Sequence, residues 1–282
     1  MKICRTKQEI RDTVKAFRSA GESVGLVPTM GFLHDGHLTL VRTAQSRTDR
    51  VIVSIFVNPT QFGEAADLDA YPRDETRDFA LLEAEGVDAV FCPSVDEMYH
   101  PDKQTTVLTE ELDKTLMGAL RPGHFKGVCT VVTKLFNITT PDQAFFGEKD
   151  YQQLQVIKTM VRDLDMPVEI TGVPTVRDVD GLAMSSRNVR LSAEDRKAAR
   201  ILNKALAYAD YEVSDGRSAQ DLEEEIRAFI AREPRAVIES IDVRDATTLQ
   251  KVEGKITRPV VILLAARFGD VLLIDQRVAH PA

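Results

Sequence analysis

Cysteine is scarce in this 282-residue chain: Cys4, Cys92 and Cys129 lie far apart and show no CxxC spacing. That excludes a zinc knuckle and a disulfide framework, and it points to a reducing compartment. Long hydrophobic runs are missing too. The opening MKICRTKQEIRDTVKAF has no apolar stretch of signal-peptide length. Nowhere does the chain approach the roughly 18 consecutive apolar residues of a membrane span. A cytoplasmic location without membrane attachment is therefore expected. Positive charge is in deficit: 36 Lys+Arg against 44 Asp+Glu give a formal charge of -8. This balance opposes sequence-independent attachment to nucleic acid or anionic lipid, yet leaves room for a local basic pocket. There is no Walker A loop, no GxGxxG and no HExxH. Gly21 to Gly25 matches GxSxG, but its serine precedes a strand where a nucleophile elbow must follow one, so it reads as a turn.

What is present describes an ordinary globular chain, 43% hydrophobic and 28% charged. At roughly 150 residues per domain, its length suits one larger and one smaller domain. Over the first two thirds, short β-branched runs alternate with helix-patterned stretches. Strands are expected at Val24 to Pro28, Val51 to Val57, Val87 to Cys92, Gln143 to Phe146 and Val168 to Val176. Helices are expected at Thr76 to Glu85, Gly127 to Phe136 and Tyr151 to Leu164. Such alternation predicts an α/β fold, a doubly wound, Rossmann-like parallel sheet that binds ligands at the carboxyl ends of its strands. Beyond about residue 177 the pattern changes. Ser192 with Asp195, and Ser218 with Asp221, resemble helix-start caps. Leu222, Ile226, Phe229 and Ile230 form one apolar stripe. Strands are expected at Ala236 to Val243, Pro259 to Ala266 and Val271 to Ile274. The expected division is thus residues 1–177, a nucleotide-binding domain, and 178–282, a smaller α+β domain acting as a lid.

Chemistry concentrates in a few loops. Val27 to Val41, VPTMGFLHDGHLTLV, reads as strand, tight Gly31 loop, then a helix starting near Gly36 and His37 with Leu38 and Val41 on its buried side. A helix start offers unpaired N–H groups and partial positive charge to phosphate. His34 and His37 would project from it together as neutral donors. A surface pair, or two ligands of a metal completed elsewhere, is the alternative. Met184 to Asn188, MSSRN, sets two hydroxyls and a guanidinium in one loop, suited to a triphosphate or simply to a helix start. Phe146 to Gln153, FGEKDYQQ, follows a strand and offers Lys149 to phosphate and Asp150 to ribose hydroxyls, with Gln153 one turn on; a solvated first helical turn is the plain alternative. Asn58 to Gly63, NPTQFG, hangs Gln61 over the same sheet edge. Arg121 to Gly127, RPGHFKG, offers Arg121, His124 and Lys126 to an anion.

Taken in order, PTMGFLHDGH, VNPTQFG, AYPR, RPGHFKGV, FGEKDYQQL and MSSRN resemble the pantoate-β-alanine ligase family, within the wider HxGH nucleotidyl-transfer superfamily. The resemblance implies ATP- and Mg²⁺-dependent joining of pantoate to β-alanine through a pantoyl adenylate, with release of AMP and pyrophosphate, by a homodimer. It implies catalytic roles for His37, His34, Lys149 and Arg187, with His37 as proton donor. It implies ATP contacts from Met30, Gly31, Phe32, Leu33, His34, Asp35, Gly36 and His37, and from Gly147, Glu148, Lys149, Asp150, Val176, Met184, Ser185, Ser186 and Arg187. Gln61 and Gln153 are the implied pantoate ligands, Gln61 also serving β-alanine. Tyr71, Arg121 and His124 would border that pocket, and no metal ligand is assigned. The rival readings are an adenylyltransferase that passes AMP to a phosphate acceptor, a tRNA ligase, for which the acidic chain offers no basic arm, and a nucleotide-binding module without activity.

Overall fold

The computed structural model describes residues 1–63 and 65–282. By contact density the chain divides into two compact units: Met1–Gly147 with Val156–Pro174, and Glu148–Gln155 with Thr175–Ala282.

The first unit is built on six strands: β1 (Lys2–Cys4), β2 (Val24–Thr29), β3 (Arg50–Ile55), β4 (Ala89–Phe91), β5 (Gln143–Gly147) and β6 (Glu169–Val173). All pair in parallel, in the order β1-β4-β3-β2-β5-β6. The helices are α1 (Lys7–Ser19), α2 (Asp35–Gln45), α3 (Ala65–Asp69), α4 (Glu75–Ala84), α5 (Val95–Met98), α6 (Met117–Leu120) and α7 (His124–Thr139). From β2 the chain steps outward to β3 and β4, then returns to place β5 and β6 on the other side. The order therefore reverses between β2 and β5, which is where a doubly wound sheet opens a ligand crevice at its carboxyl edge.

Side-chain alternation explains why both faces are covered. Val27, Val53, Ile55, Val90 and Phe145 join Leu33, Leu38, Val41, Ala44 and Leu82 in one core. The intervening Leu26, Ile52, Ala89, Phe91 and Ala144 are fully buried as well. The doubly wound sheet expected from the sequence is present, with two local corrections. Strand β1, three residues long, precedes the strand expected to be first; it is too short to show a period. Helix α7 begins at His124 and not at Gly127, so His124 and Lys126 sit in its first turn.

The second unit carries α9 (Ala193–Ala199), α10 (Ile201–Ser214) and α11 (Ala219–Ile230) with an antiparallel sheet ordered β7-β8-β9 (Val237–Asp245, Val260–Phe268, Val271–Ala279). Leu222, Ile226 and Ile230 of the predicted stripe are buried against Leu202, Leu206, Val243 and Ile262, and Phe229 packs at the margin. Ser192 and Ser218 cap their helices by accepting the Asp195 and Asp221 N–H. Each hydroxyl also donates to its Asp carboxylate at 2.7 Å. By contrast, Thr6 and Glu9 at the start of α1 make the full reciprocal box, the longer Glu9 side chain reaching the backbone. Helix α8 (Tyr151–Asp163) begins in the second unit and ends in the first.

Candidate active site

In the first unit, the turn that leaves β2 is shaped by Gly31 and Phe32, both left-handed, with φ of +80° and +51°. Consecutive left-handed residues turn successive N–H groups the same way. Here the Phe32 and Leu33 N–H both donate to the carboxylate of Asp78 on α4, each at 2.7 Å. A Cβ on Gly31 would come within 3.0 Å of Asp78 Oδ2 and of Ile55, so the glycine is needed for space as well as for its dihedral. Asp78 is 1% exposed; burial pushes its carboxyl up from the ordinary range, opposed by the two N–H bonds. Arg77 seals the loop from outside, donating to the Leu33 carbonyl at 2.9 Å and lying over the Phe32 ring. The sequence reading missed Asp78. Its signal is an acid one helical turn before the fully buried Leu82, on a helix face where an apolar residue belongs.

The loop delivers His34 in extended conformation at the N-cap of α2, which starts at Asp35, one residue ahead of expectation. His37 falls at the third helical position. Its Nδ1 accepts the His34 N–H at 3.3 Å, and the two rings lie 4.0 Å apart. A ring nitrogen that accepts an N–H carries no proton, so in the neutral ring the hydrogen resides on Nε2, which becomes a donor. Asp35 is exposed and paired with Arg42 at 2.9 Å. Met30 to His37 thus form one continuous structure at the carboxyl end of β2. Gly147 closes β5 across the switch point, and a Cβ there would meet nothing.

A second group lies in the same unit. Asn58 caps the short 3-10 turn Pro59–Gln61, and Gln61 is buried with its Nε2 3.1 Å from the Met30 sulfur. Helix α7 abuts this turn: His124 Nδ1 lies 2.8 Å from the Gln61 carbonyl oxygen, and Asn58 Nδ2 donates to the Gly127 carbonyl at 3.1 Å. The sequence pair Gln61 and His124 is brought together. Arg121 is held by Asp67 at 2.8 Å, and Tyr71 packs edge-on against Phe62.

In the second unit, Glu148–Asp150 form a 3-10 turn ahead of α8, with Lys149 Nζ 3.7 Å from Asp150 Oδ2 and Gln153 half-buried one turn on. Tyr151 anchors the segment through its hydroxyl to the Ala246 carbonyl at 2.7 Å. Residues 176–184 form a tight hairpin turned at Gly181, φ +88°. In it the Met184 N–H donates to the Val176 carbonyl at 3.0 Å, which joins two candidate residues directly. Arg177 fixes the hairpin through a forked pair with buried Asp275 at 2.7 and 2.9 Å. Ser185 then caps the 3-10 turn Ser186–Arg190 by accepting the Arg187 N–H at 3.2 Å. The capping reading of this serine is thus correct, and its hydroxyl hydrogen still has a direction in which to donate. Both this turn and Glu148–Asp150 lie against β9.

Among the described residues, no three His, Cys, Asp or Glu side chains converge as a metal site, and no helix is long and apolar enough to cross a membrane.

A family model described as pantoate-beta-alanine ligase matches residues 2–278. The chain is 53% identical to pantothenate synthetase of Bartonella tribocorum over 277 residues, 98% of this chain and 97% of that protein. It is 51% identical to pantothenate synthetase of Sinorhizobium medicae over 282 residues, 100% of this chain and 97% of that one. Among solved structures, pantothenate synthetase of Thermus thermophilus superposes with a TM-score of 0.93 at 44% identity, covering 98% of this chain and 99% of that one. Pantoate-beta-alanine ligase of Francisella tularensis, complexed with beta-gamma ATP and beta-alanine, superposes with a TM-score of 0.82 at 34% identity, covering 99% and 97%.

Proposed function

The chain belongs to the pantoate-beta-alanine ligase family, enzymes that condense pantoate with β-alanine, and from that premise we propose that it works in two steps through a pantoyl adenylate. In the first, a pantoate carboxylate oxygen attacks the α-phosphorus of ATP; the bond to the β-phosphate oxygen breaks and pyrophosphate leaves. In the second, the neutral amine of β-alanine attacks the acyl carbon, the acyl–oxygen bond breaks, AMP leaves and the amine gives up a proton. No base is needed beyond solvent or phosphate, because the mixed anhydride is already activated and binding supplies the effective concentration.

The observation that carries the reading is His37 at the third position of α2, the helix that follows the switch-point strand β2. Its Nδ1 is occupied by the His34 N–H, so Nε2–H points a neutral donor toward charge developing on phosphate. The open amides of the helix start add to this field. Lys149 and Arg187 are assigned to the pyrophosphate charge, Ser185 and Ser186 to shorter neutral bonds, His34 to phosphate support. Gly147, Glu148, Asp150, Val176 and Met184 are assigned to the nucleoside, Gln61 and Gln153 to pantoate, and Gln61 also to β-alanine. Tyr71, Arg121 and His124 are assigned to the border of the acid and amine pocket. The groups assigned to phosphate, His34, His37, Lys149, Ser185, Ser186 and Arg187, are cationic or neutral, so they suit phosphate and not a bare cation. Magnesium would accordingly arrive with the nucleotide and supply charge screening at its phosphates, with no residue of the chain assigned to hold it. The smaller domain, residues 178–282, is assigned the role of a lid. The enzyme works in the cytoplasm as a homodimer; its three cysteines are free and buried, as suits a reducing compartment.

The test is the nucleotide product formed from ATP and Mg²⁺ with pantoate and β-alanine, singly and together. Steady AMP and pyrophosphate release only with both is expected; an AMP conjugate of a phosphate acceptor would favour the adenylyltransferase reading. His37→Ala and Lys149→Ala should each slow adenylate formation by about 10²-fold or more, and near-normal turnover in both would overturn the assignment.

A further inference from the structure

The two ends of the Gln61 side-chain amide are nearly identical in shape, so only its neighbours decide whether it offers substrate an N–H or a carbonyl oxygen. Asn58 makes that decision. Its Nδ2 donates to the Gly127 carbonyl at 3.1 Å, and its Oδ1 accepts from the Thr60 N–H at 3.4 Å. A backbone carbonyl only accepts and a backbone N–H only donates, so the Asn58 amide has one possible orientation. The second hydrogen on Nδ2 goes to Gln61 Oε1 at 3.1 Å. Gln61 must therefore turn its NH2 outward, where it meets the Met30 sulfur, a weak acceptor that a carboxylate or hydroxyl oxygen would displace. Asn58 Oδ1 is held in turn by the Tyr99 hydroxyl at 2.9 Å, with the Thr60 hydroxyl at 2.9 Å beside it. Tyr99 and Asn58 are 6% and 1% exposed, so neither has water to replace a lost partner.

We propose that Tyr99 is a positioning residue for the acid substrate: its hydroxyl holds in place the Asn58 amide that the backbone has oriented, and Asn58 in turn sets Gln61 to present a donor and so selects an oxygen acceptor at that point. This rests on the reading of Gln61 as a pantoate ligand. Tyr99 follows α5, and its ring packs near Phe56 with Lys103 and Lys134 over its faces. Burial raises its phenol pKa, so the hydroxyl remains a donor through neutral pH. Removing it leaves Asn58 Oδ1 with Thr60 alone and lets the relay loosen, while the ring and its packing stay.

The experiment is a cycle in the intact enzyme: wild type, Tyr99→Phe, Gln61→Ala and the double variant, each measured for pantoate KM, ATP KM and thermal midpoint. Tyr99→Phe should raise pantoate KM roughly five- to tenfold, the scale of one lost hydrogen bond, with ATP KM unchanged. In the Gln61→Ala background it should have no further effect, because the group it orients is gone. An equal effect in both backgrounds, or none in the wild type, overturns the relay while leaving Gln61 as a ligand. An unchanged pantoate KM in Gln61→Ala overturns the Gln61 reading itself. Gln61→Glu is the independent arm and decides the question if Tyr99→Phe does not fold. One carboxylate oxygen can still accept from Asn58, but the other presents an acceptor to an acid, so pantoate KM should exceed that of Gln61→Ala; an equal or lower value overturns the polarity.

Discussion

Replacing Gly127 with alanine strikes the contact between α7 and the Asn58–Gln61 turn. A Cβ there would lie 2.4 Å from the Thr60 carbonyl oxygen, 2.6 Å from its carbon and 2.7 Å from Gln61 Cα. All three are backbone atoms, so no rotamer change relieves the overlap. Ordinary contact begins at 3.4 Å, and 3.4 minus 2.4 leaves about 1 Å of forced separation. That movement would stretch the 3.1 Å bond from Asn58 Nδ2 to the Gly127 carbonyl to about 4 Å, past hydrogen bonding. It would also strain the 2.8 Å contact of His124 Nδ1 with the Gln61 carbonyl. Overpacking costs about 1–3 kcal/mol, and each lost bond about 1 kcal/mol, so the variant should lose roughly 2–5 kcal/mol. For a unit of this size that is a fall of roughly 5–15 °C in Tm. Circular-dichroism melting reads the stability, and steady-state kinetics read the turn, where pantoate KM should rise. A midpoint within about 2 °C of wild type, with unchanged pantoate KM, would refute the reasoning.

Asp78→Asn keeps the volume but brings one acceptor and one NH2 to two N–H donors. About 1–3 kcal/mol should be lost, and hydrogen exchange at the Phe32 or Leu33 amide should quicken; equally slow exchange at both would contradict the account. The same variant has a pH signature. The Asp78 carboxyl is raised on folding, so the wild-type fold binds that proton more tightly than the unfolded chain does. Its contribution is full at acid pH and lost as pH rises through the folded value. Urea melts across that window should show the decline in wild type and not in Asp78→Asn. Burial also pushes the Cys92 and Cys129 thiols up to about 12. Both should resist alkylation at mildly alkaline pH until the chain is unfolded. The stability they confer is present below the unfolded thiol pKa of about 8.5 and falls as pH climbs toward the folded value; rapid labelling of native protein would refute this.

The alternation of β-branched runs and helical stretches was legible because a sheet covered on both faces demands nearly continuous apolar strands, as in Val51 to Ile55. The β2–α2 motif was legible because its glycine and histidines lie contiguous in the sequence. The second unit's stripe of Leu222, Ile226 and Ile230 was legible from its period. Strand β1 was not, since three residues carry no period. The start of α7 was placed three residues late, because Gly123 in a left-handed conformation, not an apolar repeat, marks where the helix begins.

By itself the sequence singled out the candidates: His34, His37, Gln61, Lys149 and MSSRN are polar groups gathered at fixed local spacing in short segments at or between the ends of the regular elements. Only the tertiary structure decided how they are held. Asp78 reaches Phe32 and Leu33 across more than 40 residues, at separations of 46 and 45, and Tyr99 reaches Asn58 across 41. Such partners share no local spacing with the groups they orient. They meet because the parallel sheet brings the carboxyl ends of distant strands side by side, where a buried polar group must find whichever partner the fold supplies.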